Sequence, residues 1–72
     1  MTFYAWARTQ VRRDDPVGDF CRDWCADRDR PSIRRSSRWR HVRYYLWQVG
    51  ACDAAVQAGK RAYAEWRETL VP

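Results

Sequence analysis

The sequence contains no apolar run of about eighteen residues, the minimum for a helix that crosses a bilayer, and its mean hydropathy is −0.82. A membrane span is therefore not expected. Aliphatic residues are scarce as well: Val, Ile and Leu together number nine, against eleven aromatics (Trp 5, Tyr 4, Phe 2) in 72 residues. At this size only about 60% of the unfolded chain's surface can be buried, which leaves nothing to fill a second core. The chain is expected to form one domain over residues 1–72. Each buried aromatic covers about 150 to 250 Å2, so a handful of them can anchor an interior that the aliphatics cannot fill.

Catalytic and redox chemistry is just as thinly supplied. His41 is the single histidine, and no carboxylate, thiol or hydroxyl is placed by sequence to form a relay with it. A chain this short has no room for a deep pocket either, so neither an enzyme nor a small-molecule substrate is expected. Three cysteines cannot all pair, and Met1 is followed at once by Thr2 and mixed polar and aromatic residues without an apolar signal segment. These features point to a reduced, cytoplasmic chain without a disulfide scaffold. Cys21, Cys25, Cys52 and His41 do total four soft ligands, the number a structural zinc site needs. However, Cys21 and Cys25 continue an apolar stripe, where small buried thiols are common, so packing is expected instead of a metal, and no cofactor is implied.

What is abundant is helical signal. Thr2 can cap a first short helix in which Phe3, Trp6, Ala7 and Gln10 recur at helical spacing before the pattern fades by Arg12. Asp15-Pro16 opens a second helix running to about Ala26, with Val17, Phe20, Cys21, Trp24 and Cys25 on one face and Asp19, Arg22 and Asp23 opposite. Residues 27–36 have no period and contain Pro31, which suggests a loop anchored by Ile33. Ser36 or Ser37 can cap a third helix, with Trp39, Val42, Leu46 and Val49 on its buried line, Tyr45 beside them and Gly50 as its stop. Asp53 is expected to cap a fourth, where Ala55, Val56, Gly59, Ala62, Tyr63, Trp66 and Leu70 share a face, Gly59 marking the close approach of another backbone. The Glu65 and Glu68 pair is expected on a solvated face. With no strand alternation or internal repeat, the fold class is all-α, a compact bundle of four to five short helices. Its expected core contains Phe3, Trp6, Phe20, Trp24, Trp39, Leu46, Tyr63 and Trp66.

Several of these residues also carry a resemblance. Phe3-Tyr4-x-Trp6, Asp15-Pro16-Val17-Gly18-Asp19, Arg30-Pro31, Tyr45-Leu46 before Gly50, and Ala64-x-Trp66 occur in an order and spacing that resembles the YozE SAM-like family of short bacterial proteins, from Thr2 to Trp66. The resemblance implies a compact SAM-like helical fold, no enzymatic activity and a role in DNA binding. The chain departs from the family at Cys21 and Cys25, in its Arg-rich middle and at Trp47.

Charge supplies the functional signal. The chain carries 14 basic residues, 13 of them Arg, against 9 acids, for a net charge of +5. Such an Arg-to-Lys ratio is what a GC-rich coding sequence leaves, so placement says more than the ratio. From Arg28 to Arg43 seven Arg (Arg28, Arg30, Arg34, Arg35, Arg38, Arg40 and Arg43) face only Asp29, a local net charge of +6, while the remainder sums to −1. On a helical wheel His41, Tyr44, Trp47 and Gln48 share the solvent side of the third helix with Arg40, flanked by Arg38 and Arg43. Arg bonds phosphate in bidentate fashion, and exposed Trp or Tyr stacks on an unpaired base or fills a pocket on a protein. The expected partner is a nucleic acid, DNA above all, or an acidic protein surface. The protein-interaction alternative uses the exposed aromatics as anchors, in self-association or in inhibiting a host protein. Trp47 could also be spent internally, under Arg43 or against Tyr4 or the C-terminal tail.

Overall fold

Four helices occupy the described part of the computed structural model, which comprises residues 1–27 and 36–71. They are α1 (Phe3–Arg8), α2 (Pro16–Ala26), α3 (Trp39–Gln48) and α4 (Asp53–Thr69), and no strand occurs among the described residues. The protein is a small all-α bundle. Its Cα radius of gyration is 11.0 Å, and a folded chain of this length should have about 11 Å. The long α4 packs against the other three helices, and α1 also packs on α2. No described helix is long and apolar enough to cross a membrane.

The first two helix starts follow local chemistry. The Thr2 side chain accepts from the Ala5 amide, and the Asp15 carboxylate accepts from the Gly18 amide at 2.8 Å with Pro16 in the first helical position, so each satisfies a donor that the helix leaves open. The other two starts differ from expectation. The N-cap of α3 is Arg38, whose side chain makes no cap bond. Ser37 is diverted by a tertiary contact: its hydroxyl accepts from the Phe3 amide at 3.0 Å and its carbonyl accepts from the Tyr63 hydroxyl at 2.8 Å, strapping the segment before α3 to α1 and α4. Ser36 accepts from the Arg38 amide and meets His41 Nδ1 at 2.6 Å. In α4 the cap is Cys52, and Asp53 lies in the first turn, where its charge favours the helix dipole without capping it.

Helix α3 stops as expected. Gly50 takes φ +67° while the Gly50 amide donates to the Trp47 carbonyl and the Ala51 amide to the Leu46 carbonyl, a Schellman closure in the conformation that glycine adopts without strain. At Gly18 the requirement is steric: a Cβ there would come within 2.0 Å of the Arg13 carbonyl oxygen, so the linker between α1 and α2 lies directly on the start of α2. Gly59 faces side chains, not the backbone that the sequence suggests, because Leu46 and Phe20 fill the space beside it.

Phe3 is the hub of the core. Its ring lies 5.4 to 6.2 Å from the rings of Trp6, Phe20, Trp24, Tyr63 and Trp66, joining α1 to α2 and α4. Trp24 stacks on Phe20 and stands perpendicular to Tyr45, whose centroid is 4.8 Å away. The Trp24 indole N–H is buried without an acceptor among the described residues, which costs about 1 to 3 kcal/mol of the gain from burying the ring. Trp66 spends its own N–H on the Met1 carbonyl at 3.1 Å. Of the eight expected core residues, six are buried; Trp39 and Tyr63 are half-buried and meet at a tilt, with centroids 5.4 Å apart, on the rim between α3 and α4. Val49 and Leu70, expected inside, are exposed because each lies at or beyond the last turn of its helix.

A polar clamp closes the α1–α2 linker. Arg13 donates to Gln10, to Asp15 and, at 2.7 Å, to Glu65 on α4, while Arg61 reaches the same Glu65. Glu65 therefore belongs to a tertiary ion cluster, not to the solvated face expected of it. Arg22 donates to the Val11 and Arg13 carbonyls and pairs with Asp19. The Arg13 guanidinium holds both carboxyls below their ordinary values, with Gly18 as a further donor to Asp15 and Arg61 as a second cation at Glu65.

Candidate nucleic-acid interface

The basic run divides at the boundary of the described residues. Arg28, Arg30, Arg34 and Arg35 lie outside them, as does Ile33, together with most of the loop expected at residues 27–36. Arg38, Arg40 and Arg43 are described and exposed, on the start and outer side of α3. None makes an ion pair among the described residues, in contrast to Arg13 and Arg22. The position of Arg38 and Arg40 matters as much as their charge. Helix α3 has no side-chain cap and no acidic residue in its first turn, so its open amides and the positive end of its dipole add to the Arg field. Such a start is slightly unfavourable for the isolated helix and favourable for an anion beside it.

Farther along the same side, Tyr44 and Trp47 stand together with ring centroids 5.9 Å apart. Trp47 is 74% exposed and Tyr44 47%, so the outer indole is spent neither against Tyr4 nor under Arg43. Tyr4 instead carries the Arg8 guanidinium over its ring at 5.9 Å. The Gln48 amide donates to the Tyr44 hydroxyl at 2.6 Å, holding the tyrosine upright one turn from the helix end. His41 is the correction within this group. It is half-buried, with Nδ1 2.6 Å from the Ser36 hydroxyl of the segment before α3, so it is less open than the solvent side on which the sequence places it.

The cysteines occupy three different environments. Cys21 is fully buried in the core, where burial first and the neighbouring Cys25 second push its thiol up to about 12. Cys25 is half-buried and Cys52 is exposed at the start of α4. Among the described residues no three His, Cys, Asp or Glu side chains converge in a group that could hold a metal.

On the other side of α3 an open groove of about 900 Å3 runs between α2, the end of α3 and the start of α4. The apolar periodicity of each helix gave no sign of it, because it is bounded by the edges of three separate stripes. No protein-family model, no curated protein and no solved structure matches the chain.

Proposed function

We propose that this protein is a small non-enzymatic module that binds nucleic acid through the outer face of α3 and the basic run that precedes it. Arg38, Arg40 and Arg43, with Arg28, Arg30, Arg34 and Arg35, contact the phosphate backbone, and Trp47 with Tyr44 stacks on unpaired bases. The observation that carries this reading is the exposed Tyr44–Trp47 pair beside three arginines that have no carboxylate partner among the described residues. Exposed aromatics add nothing to backbone contacts on a duplex, whereas every unpaired base offers a face to them. The preferred target is therefore a single-stranded stretch, DNA in the first instance. The resemblance to YozE SAM-like proteins, with its suggested DNA-binding role, points the same way, and the proposal includes membership of that SAM-like group and a cytoplasmic site of action.

Fluorescence anisotropy with single-stranded and duplex oligonucleotides of one sequence, at two salt concentrations, tests the reading. Binding should be salt-sensitive and weak in sequence preference, and Trp47→Ala should weaken the single-stranded complex by about 1 to 3 kcal/mol while sparing the duplex. A second reading, a protein-interaction module anchored by Tyr44 and Trp47 with an Arg rim, rests on the 74% exposure of an indole. It prevails if neither oligonucleotide binds near 50 mM salt, a condition under which phosphate contacts are strong, and Trp47→Ala abolishes a protein complex.

A further inference from the structure

A shallow pocket of about 340 Å3 opens where the start of α3 meets α4. It is lined by Trp39 from α3 and by Lys60, Tyr63, Ala64 and Arg67 from α4. The α4 residues stand at i, i+3, i+4 and i+7, so one face of that helix presents all four. The two rings meet at 54° with centroids 5.4 Å apart, and the Tyr63 hydroxyl donates to the Ser37 carbonyl, which fixes one wall in place. Both rings are half-buried, so each keeps surface that folding does not use.

The charges around the pocket are open too. Lys60 and Arg67 are exposed, and neither side chain has a hydrogen-bonding or ionic partner among the described residues. No described carboxylate lines the pocket: Glu65 is held by Arg13 and Arg61, and Glu68 lies about 100° round α4 from Arg67. The negative end of the helix dipole favours a cation in the last turn, which accounts for Arg67. It does not account for Lys60, two turns earlier.

These features select the ligand. The two cations lie about 10 Å apart along α4, with Tyr63 and Ala64 midway between them. A ligand that satisfies both ends and the middle has a planar group flanked by two anions, and rings inclined at 54° let a plane lie flat on one while its edge meets the other. A nucleotide within a strand has that form, a base between its 5′ and 3′ phosphates. Stacking on an aromatic ring and phosphate contacts from Lys and Arg are both favourable whatever the base. The pocket is also continuous with the face of α3 described above. Arg43 follows Trp39 by one turn and Trp47 follows Arg43 by another, so aromatic and basic groups alternate from α4 across to Trp47.

We propose that this pocket is a nucleotide subsite for the single strand, in which a base stacks on Trp39 against Tyr63 while Lys60 and Arg67 hold its two flanking phosphates. The subsite rests on the nucleic-acid reading of α3 and extends that interface onto α4, beyond the basic run of the sequence. The strand then crosses α3 from Trp39 to Trp47, about 12 Å along the helix.

Two measurements on the full chain test the subsite. In the first, isotope-labelled protein is titrated by NMR with thymidine 3′,5′-bisphosphate, a base with both phosphates, and with thymidine 5′-monophosphate. The bisphosphate should shift the Trp39 indole resonance and bind about fivefold tighter than the monophosphate. Ala64→Glu, an exposed change that sets a carboxylate between the cations, should remove that difference. In the second, single-stranded oligonucleotide binding is followed against salt. Lys60→Gln with Arg67→Gln should lower the slope of log K against log salt by about 1.4, about 0.7 for each phosphate. Arg8→Gln with Arg61→Gln, equal in charge but outside the pocket lining, should leave it unchanged. Melting temperatures separate loss of the subsite from loss of the fold. A strand that binds the parent and the Lys60, Arg67 variant with one slope, or nucleotides that bind alike or leave Trp39 unshifted, would overturn the subsite and leave the α3 reading intact. Bisphosphate seated at Trp39 without any strand binding would overturn both the α3 reading and the strand subsite, and assign the pocket to a free nucleotide.

Discussion

Arginine does two different jobs in two regions of this molecule. In the α1–α2 linker Arg13 and Arg22 are saturated: between them they engage Gln10, Asp15, Asp19, Glu65 and two backbone carbonyls. On the start and outer side of α3, Arg38, Arg40 and Arg43 have no carboxylate within reach among the described residues, and Arg38 and Arg40 crowd a helix end whose dipole is already positive. The starts of the helices differ in the same sense. Helix α2 opens on an aspartate cap with a further acid in its first turn, whereas α3 opens on Arg38 with neither. What this teaches is that charge count alone does not locate function. Cations consumed by folding hold the chain together, and cations left unpaired beside exposed aromatics are free to meet a partner.

The sharpest way to test the division is with its two outlying indoles. Trp24 is fully buried and Trp47 is 74% exposed. Trp24→Ala should cost about 3 to 5 kcal/mol, enough to unfold a domain of this size, while Trp47→Ala should stay within about 0.5 kcal/mol of the parent in a denaturant titration. Trp24→Phe should recover much of the loss, because it removes an indole N–H that has no acceptor among the described residues. Equal costs at the two positions would break the comparison.

Arginines come next. Arg13→Gln should lower stability by about 1 kcal/mol, a modest figure because the cluster is about a quarter to two-fifths exposed and solvent screens it. Replacing Arg38, Arg40 and Arg43 together with Gln should be neutral within about 0.5 kcal/mol, or slightly stabilising because it relieves the helix dipole.

The smallest effect is on pH dependence. Asp15 and Glu65 are held below their ordinary values in the folded state, chiefly by the Arg13 guanidinium. Their contribution is therefore fully present above the unfolded carboxyl range, about pH 4 to 4.5, and is lost as pH falls through the lowered folded values. Acid titrations followed by circular dichroism should show a shallower loss of stability in Arg13→Gln than in the parent, and an unchanged slope in the α3 triple variant.

Much of the fold was legible because it is written in local chemistry. Thr2, the Asp15-Pro16 pair and Gly50 each act within four residues of their own position, and Phe3, Phe20, Trp24 and Trp66 fall on apolar lines that any helix of those bounds must bury. What sequence could not supply is long-range. Ser37 loses its capping role to Phe3 and Tyr63, 34 and 26 residues away, and Glu65 is claimed by Arg13 across 52 residues. Gly18 gave no cue either, since the Arg13 carbonyl that forbids a side chain there approaches only through the turn of the linker. Within the candidate site the exposure of Arg40, Tyr44 and Trp47 followed from the helical wheel. The half-burial of His41 did not, because it depends on where Ser36 is held.

The central claim is that Arg38, Arg40 and Arg43 of α3, and not the saturated arginines of the linker, meet the partner. The salt dependence of single-stranded oligonucleotide binding measures this directly, since each phosphate neutralised adds about 0.7 to the slope of log K against log salt. The account predicts that Arg38, Arg40 and Arg43 changed together to Gln lower that slope by about two with the melting temperature preserved, whereas Arg13→Gln lowers the melting temperature and leaves the slope where it was. A slope that is the same in the parent and the triple variant, or one that falls equally in Arg13→Gln, would contradict it.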